Sequence, residues 1–468
     1  MSVSNSVNSS PFSMVANVII PEIEKFLDLP DGMGFSRVDR RVYACTKFPI
    51  KALAISSSSF NEVFATIRPS KFPHLISLQL SGTQYPDYLV PLRGFRLSLE
   101  IKGGIDLPGA VVDRVVSATG PLTGLKILDM SGGTQPFQFS QVAKSNLKTL
   151  RDLHCDNSSS FARAALGAIQ DCTNLTSVYL RGQPISNELL IQLTLNHELA
   201  ELNLQNACRV VDFGILSSCY SLRSFAPDKA INEENLIRIL EANPEMENLD
   251  LSLCNAEMIT DRLLETLATK NIKLKSLSLP RLLEKSSISD AAFIRFTENC
   301  NQIQRLQLGN LATITFAAIA RGIKNCSELT NLSLDKINGE VLDAIATKKK
   351  LTVLIMMTYG SHFLEESLRG LIALKNLSTL SVGVCEHVTD QTIALFIESL
   401  PELHTLRVNW RRGGMTEPTL TRIKDHLKTG QSKLTFFSVY GTGFEESRMQ
   451  NLLDDVDNLT TDFYSRAV

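Results

Sequence analysis

One short phrase returns along most of this chain and limits what it can fold into: Leu-x-x-Leu-x-Leu, then a polar or small break, then apolar residues at helical spacing. It is clearest at Leu125–Met130, Leu199–Leu204, Met246–Leu251, Leu274–Leu279, Ile303–Leu308, Leu329–Leu334, Leu377–Val382 and Leu403–Val408. Degenerate copies start at Leu75, Leu97, Leu147, Leu175, Leu222, Leu351 and Leu434. The mean period from first to last start, (434 − 75)/14, is about 26 residues. The alternating apolar positions predict one short strand per unit, and the segment after the break predicts a helix. One such unit cannot bury its own apolar face, so the units must stack on one another.

Phrase and period together resemble the leucine-rich repeats, whose units run 20–29 residues. The resemblance implies an α/β solenoid: a horseshoe with a parallel sheet on its concave face and helices on its convex face. Cys385-Glu-His-Val-Thr-Asp and Met258-Ile-Thr-Asp resemble the cysteine-containing subtype. In these pieces Thr389 or Asp390, and Thr260 or Asp261, are the expected helix N-caps, with Ser289-Asp290 in the same role.

The 468 residues are 44% hydrophobic and 21% charged, an ordinary globular composition. A net charge of −2 lacks the basic excess of a nucleic-acid binder. No apolar run reaches 18 residues, so no membrane span is expected. The Ser/Asn-rich start, residues 1–14, reads as a disordered tail without the pattern of a secretory signal. Nine cysteines are scattered without C-x-x-C spacing. Cys172, Cys219, Cys300 and Cys326 fall two or three residues before the next strand, which predicts buried, reduced side chains at a recurring tight spot and a reducing compartment.

Residues 15–50 do not fit the repeat. Pro30-Asp31-Gly32 is a turn between two apolar faces. The run Phe26-Leu27-Asp28-Leu29-Pro30-Asp31 and the segment Phe35-Ser36-Arg37-Val38-Asp39-Arg40-Arg41 resemble the turn and second helix of an F-box. The opening of that motif falls either on Val15-Ala16 or, with a shortened first helix, on Ile20-Pro21-Glu22-Ile23. The resemblance implies docking on a Skp-family adaptor of a cullin-based ubiquitin ligase through Ile23, Phe26, Leu27, Leu29, Phe35 and Val38. Cytoplasm or nucleus is the compartment that goes with it. Two other readings remain open here. The segment can simply cap the exposed apolar edge of the first repeat of an interaction scaffold, or the chain can be a bacterial effector that mimics a host F-box protein in the host cytosol.

The solenoid is expected over 51–459, closed by an amphipathic helix at 445–459, with 460–468 as a tail. No metalloprotease, hydrolase or phosphate-loop motif is present, and the seven histidines stand singly, so no catalytic residue, metal site or cofactor is expected. An enzyme reading would need a cluster of titratable side chains with shifted pKa values on the sheet. Towards the C-terminus the residues between the leucines become richer in types that favour interfaces. They are Val353, Ile355, Met357 and Tyr359, then Arg407, Asn409, Trp410 and Arg411, then Phe436, Ser438 and Tyr440. Trp, Tyr and Arg are the residue types enriched in binding hot spots. Ile355, Met357, Tyr359, Arg407, Asn409, Trp410, Arg411 and Tyr440 are the expected contacts to a protein partner.

Overall fold

The structure is a computed structural model. It describes residues 52–56, 77–82, 97–103, 109–128, 140–155, 172–182, 185–207, 212–280, 288–309, 311, 313–357, 365–385, 388–410, 415–442, 453, 456 and 459–465. The adaptor-docking candidates Ile23, Phe26, Leu27, Leu29, Phe35 and Val38, and the partner-binding candidates Tyr359 and Arg411, lie outside them. The chain divides into two compact units, residues 1–221 and 222–468.

The first unit contains strands β1 (Ala52–Ser56), β2 (Ser77–Gly82), β3 (Leu97–Gly103), β4 (Leu122–Leu128), β5 (Asp152–Cys155), β6 (Ser177–Tyr179) and β7 (Glu201–Asn203). Each pairs in parallel with the next, which only a crossover connection allows. The described crossovers include helices α1 (Gly109–Thr119), α2 (Gln141–Leu147) and α3 (Asn187–Thr194), and a 3-10 turn at Phe213–Ser218 follows β7. The register aligns Leu53, Leu78, Leu99, Leu125, Leu153, Val178 and Leu202 in one row. From Leu99 onward the row is 0–2% exposed, so it forms the core.

That register corrects two phrase starts. Leu125 is the second apolar position of its unit, which begins at Leu122, and Leu153 belongs to a unit that begins at Leu150. The spacings therefore become 28 and 25 residues, not 22 and 28. β1 is a further copy that the phrase search passed over, written Ile50-Lys-Ala-Leu53-Ala-Ile55.

The second unit contains β8 (Ser224–Ala226), β9 (Asn248–Asp250), β10 (Ser276–Ser278), β11 (Arg305–Leu308), β12 (Asn331–Leu334), β13 (Val353–Met356), β14 (Thr379–Cys385), β15 (Thr405–Trp410), β16 (Phe436–Thr442) and β17 (Thr460–Ser465). All pair in parallel, in chain order. Between them run α4 (Glu233–Ala242), α5 (Asp261–Lys270), α6 (Asp290–Asn299), α7 (Phe316–Asn325), α8 (Gly339–Ala346), α9 (Glu365–Arg369), α10 (Asp390–Ser399) and α11 (Glu417–Lys428). The core row runs Phe225, Leu249, Leu277, Leu306, Leu332, Leu354, Leu380, Leu406 and Phe437, all buried. β17 departs from the expected C-terminal tail: residues 460–465 add a strand to β16, with Thr461 in the row where other units place an apolar residue. Most of the helix expected at 445–459 lies outside the described residues. Each unit is thus a leucine-rich-repeat stack: an open parallel sheet on one side, helices on the other.

Helix starts bind one repeat to the next. Thr260, Ser289 and Thr389 are N-caps, their hydroxyls accepting from the amides of Leu263, Ala292 and Thr392. The carboxylate that follows such a cap reaches into the next repeat. Asp261 accepts from the amide (2.6 Å) and hydroxyl (2.7 Å) of Ser289, and Asp290 from those of Thr315 at 2.8 and 2.5 Å. Asp390 accepts from the Thr416 amide at 3.3 Å and hydroxyl at 2.5 Å, and from the Thr419 hydroxyl at 2.7 Å. Glu233 takes the Thr260 hydroxyl and Glu365 those of Thr389 and Thr392. In the first unit, Asp113 accepts from the Ser140 amide at 2.7 Å in the same way. Burial pushes the pKa of Asp390 and Glu365 up, but the threonine hydrogen bonds outweigh it and hold both below their ordinary values.

Helix ends are tied by a second column, three residues before each strand phrase. It holds Cys172, Asn196 and Cys219 in the first unit, and Asn243, Asn271, Cys300, Cys326 and Lys348 in the second, all buried. The Asn271 amide donates to the Leu240 and Asn243 carbonyls of the preceding repeat, and the Cys300 thiol lies 3.5 Å from the Leu267 carbonyl. Cys172, Cys219, Cys300 and Cys326 are buried thiols, as the repeat phase predicts, and so are Cys155 and Cys254 outside that phase. Burial pushes the Cys219 and Cys326 thiols up to about 11 and those of Cys254 and Cys300 up to about 12.

Candidate functional site

The residues between the core positions of each strand face away from the helices. In β13 the buried Leu354 and Met356 alternate with the half-buried Val353 and Ile355, which emerge on the open face of the sheet. Met357 continues that row one step beyond the strand, and its side chain is 42% exposed. The same alternation in β15 buries Leu406 and Val408 and turns out Thr405, Arg407 and Asn409. In β16 Phe437, Ser438 and Val439 are all buried, Phe436 is half-buried and Tyr440 exposed; register with Arg407 puts Ser438 in the row of the open face.

Strand register decides which of these side chains meet. Val353, Thr379, Thr405 and Phe436 share one row across β13–β16, and Ile355, Ser381, Arg407 and Ser438 share the next. Asn409 pairs with Tyr440. Between the aliphatic wall of β13 and the polar wall of β15, β14 offers only Thr379, Ser381 and the buried Gly383, so its surface is low. Ile355 and Arg407 stand two strands apart, about 10 Å at the usual sheet spacing. Met357 and Tyr440 are two of only four large hydrophobic side chains that are exposed among the described residues of this unit. The structure thus brings five of the expected partner contacts, Ile355, Met357, Arg407, Asn409 and Tyr440, to one face. Trp410 ends β15, and only its backbone is described.

Arg407 is held without a carboxylate. Its guanidinium lies 5.0 Å from the centroid of the Phe436 ring, a cation–π contact. On the helix side of this unit the exposed cations pair with acids across repeats: Arg262 with Glu234, Arg295 with Glu265, Arg321 with Glu298, Lys350 with Glu328 and Arg422 with Glu398. Beside Arg407 in the same row, Ser438 is 0% exposed and its hydroxyl has no hydrogen-bond partner. A buried unmet hydroxyl is costly, about 1–3 kcal/mol, so its presence calls for an explanation.

The first unit carries a different cluster that the sequence reading missed. Asp152, Ser177 and Glu201 share one row of β5–β7, and His154 and Tyr179 share the next. The two rings stack with centroids 5.2 Å apart. The Tyr179 hydroxyl donates to Glu201 at 2.7 Å and the Ser177 hydroxyl donates to the same oxygen at 3.0 Å. Burial first, and then the Glu201 carboxylate, push Tyr179 up to about 12. That direction makes the phenol a poorer proton donor at neutral pH, the opposite of tuning for acid catalysis. The signal available in sequence was the alternation in Asp152-Leu-His-Cys and Ser177-Val-Tyr, two polar or aromatic residues per strand around one core residue.

Among the described residues no group of three or more His, Cys, Asp or Glu side chains is arranged to hold a metal ion. No described helix is long and apolar enough to cross a membrane.

Repeat phrase, parallel ladder and following helices define a leucine-rich-repeat protein with a sheet face available to a partner. No family model matches the chain, and no curated protein does. Among solved structures it is similar to an internalin from Listeria monocytogenes, with 16% identity over 70% of this chain and 84% of that one and a TM-score of 0.43. It is also similar to a leucine-rich-repeat protein of Leptospira interrogans, with 13% identity over 92% of this chain and 98% of that one and a TM-score of 0.42.

Proposed function

We propose that the chain is a protein-recognition scaffold that holds a partner on the open face of β13–β16, and that residues 15–50 couple it to a ubiquitin ligase as an F-box-like substrate receptor. The observation that supports recognition is the meeting, on one face, of exposed Met357 and Tyr440, half-buried Ile355 and an Arg407 without an ion pair. Aromatic, aliphatic and arginine side chains around a low strip are the composition of an interface centre. In this reading Tyr359, Trp410 and Arg411 extend the same contact surface.

The receptor half of the proposal rests on the motif at Phe26–Arg41. Ile23, Phe26, Leu27, Leu29, Phe35 and Val38 would dock on a Skp-family adaptor, which in turn joins the cullin. The chain would then act without chemistry of its own, raising the local concentration of the bound protein beside the ubiquitin-charged enzyme. The buried free thiols suit a reducing compartment, cytoplasm or nucleus.

A binding assay between the purified full chain and a Skp-family adaptor tests the coupling. Saturable binding, lost in the Leu27→Asp/Val38→Asp variant while its circular dichroism is unchanged, is the expected result. Absence of binding to the parent chain would leave residues 15–50 as a cap, and the protein as a scaffold only.

A further inference from the structure

We infer that the face of β13–β16 captures a carboxylate: its occupant is a protein segment that places an Asp or Glu side chain about 10 Å from an aliphatic or aromatic anchor. The inference rests on the reading of this face as partner-binding and names the chemistry of what it binds. Three observations carry it.

The first is charge. Arg407 is exposed, is positioned by the Phe436 ring, and makes no hydrogen bond or ion pair. The two residues that flank it in its row, Ser381 and Ser438, are uncharged, and the nearest acid in the row, Asp462, is two strands away on β17. A guanidinium presents five donors in a fixed fork that matches a carboxylate. Stacking on a ring pre-orders that fork and lowers the entropy lost when an anion arrives.

The second is the Ser438 hydroxyl. It emerges beside Arg407 on the same row, is wholly buried, and donates to nothing. A carboxylate bound to the ring-held fork of Arg407 lies at the neighbouring position of the row, where a small side-chain shift brings it to this hydroxyl as the acceptor it lacks. The unmet group is then explained as a cost carried by the free protein and relieved on binding.

The third is spacing. Val353, Ile355 and exposed Met357 form an apolar wall on β13, and Thr379 and Ser381 leave a low strip before Arg407. One anchor on the wall and one charge on the guanidinium are therefore two strand spacings apart. An apolar segment without a carboxylate would bury the wall but leave Arg407 desolvated and unpaired, which disfavours it.

The test is selection of displayed random 12-residue peptides on the full chain, followed by affinity measurement of the selected synthetic peptides on Arg407→Glu, Arg407→Ala, Ser438→Ala and Ile355→Asp variants. The expected result is enrichment of sequences that pair Asp or Glu with an aliphatic or aromatic residue. Their affinity should fall about 10- to 100-fold on Arg407→Ala, fall on Ile355→Asp, weaken with added salt, and return on Arg407→Glu when the peptide carboxylate is replaced by Lys. Ser438→Ala should weaken binding while raising, or leaving unchanged, the melting temperature of the free protein. That readout would not follow if the hydroxyl were a structural support. Peptides that depend on Ile355 but carry no carboxylate and ignore Arg407 would overturn this inference and keep the partner-binding face. Selected peptides indifferent to both Ile355 and Arg407, or no enrichment at all, would overturn both.

Discussion

Removing the carboxylate of Asp390 should loosen the last helical repeats of the second unit, and the structure sets the size of the effect. Asp390 begins α10 and accepts three hydrogen bonds from the next repeat. Two come from Thr416, which is exposed, so water takes over and each loss costs only about 0.5–1 kcal/mol. The third comes from Thr419, which is 1% exposed. In Asp390→Ala its hydroxyl loses its charged acceptor out of reach of solvent and keeps only the Thr416 hydroxyl, 3.0 Å away, as an acceptor, at about 1–3 kcal/mol. The sum is about 2–5 kcal/mol. Asp390→Asn keeps an acceptor oxygen and loses only the charge, so it should cost about 1 kcal/mol.

The pH dependence separates charge from shape. Because the folded pKa of Asp390 lies below its unfolded value of about 3.9, the unfolded chain binds the proton first as pH falls. The contribution is therefore complete above about pH 5 and is lost on descent through the folded pKa, while Asp390→Asn lacks that slope. The lost bonds join only neighbouring repeats of a long stack, so the assay is local. Hydrogen exchange should be read in residues 405–428, with residues 248–278 of the same unit as the internal control. At pH 7, protection in the first segment should drop about 30- to 5000-fold in Asp390→Ala and the control should hold. Protection within threefold of the parent in Asp390→Ala, or equal effects from Asn and Ala, would refute the assignment of the charge-assisted bonds.

Two further outcomes follow from buried features. Gly322→Ala should destabilise although alanine favours helices by about 1 kcal/mol over glycine. Its Cβ would stand 2.4 Å from Cε1 of Phe293, a ring that is 0% exposed, and such overpacking costs about 1–3 kcal/mol. A raised urea midpoint in Gly322→Ala, or no rescue by Phe293→Leu, would show that the ring yields freely. The buried thiols should make the protein sensitive to alkali. Their folded pKa values of about 11–12 exceed the unfolded value of about 8.5, so the unfolded chain loses protons first and stability falls as pH rises above 8.5. Cys219→Ala should shrink the drop in urea midpoint between pH 8 and pH 10, and Ellman's reagent at pH 8 should reach the six described cysteines only after denaturant is added.

What could be read from the sequence follows from what the phrase encodes. Leucines at the core row are set by burial, which shows in residue type, so the strands from Leu199 to Leu403 fall where the phrase places them. The phase slipped at Leu125 because β4 carries apolar residues at 122, 125, 127 and 128, and at Leu147 because Leu147, Leu150 and Leu153 repeat the three-residue step. β17 escaped because Thr461 occupies the core row and no leucine marks it. N-caps were legible, since the capping hydroxyl acts within its own helix. The role of the following Asp was not, because Asp261 and Asp390 bond to residues 28 and 26 positions ahead, and only the stack brings those together. Of the partner face, residue types could be chosen from sequence. The pairing of Arg407 with the Phe436 ring and the unmet Ser438 hydroxyl depend on register between strands, which spacing alone does not fix.

The carboxylates after the Thr260, Ser289 and Thr389 caps also give their part of the stack a direction. Asp261 is in place before Ser289 is, Asp290 before Thr315, Asp390 before Thr416. On a ribosome, the repeats that begin at Ser289, Thr315 and Thr416 therefore meet an acceptor already presented by the one made before, while the reverse order would leave amides and hydroxyls waiting for a chain not yet synthesised. Growth from the N-terminus is zippered, with the acid of one turn serving as the latch for the next, and a nascent chain halted between repeats exposes a charged, soluble end at that latch.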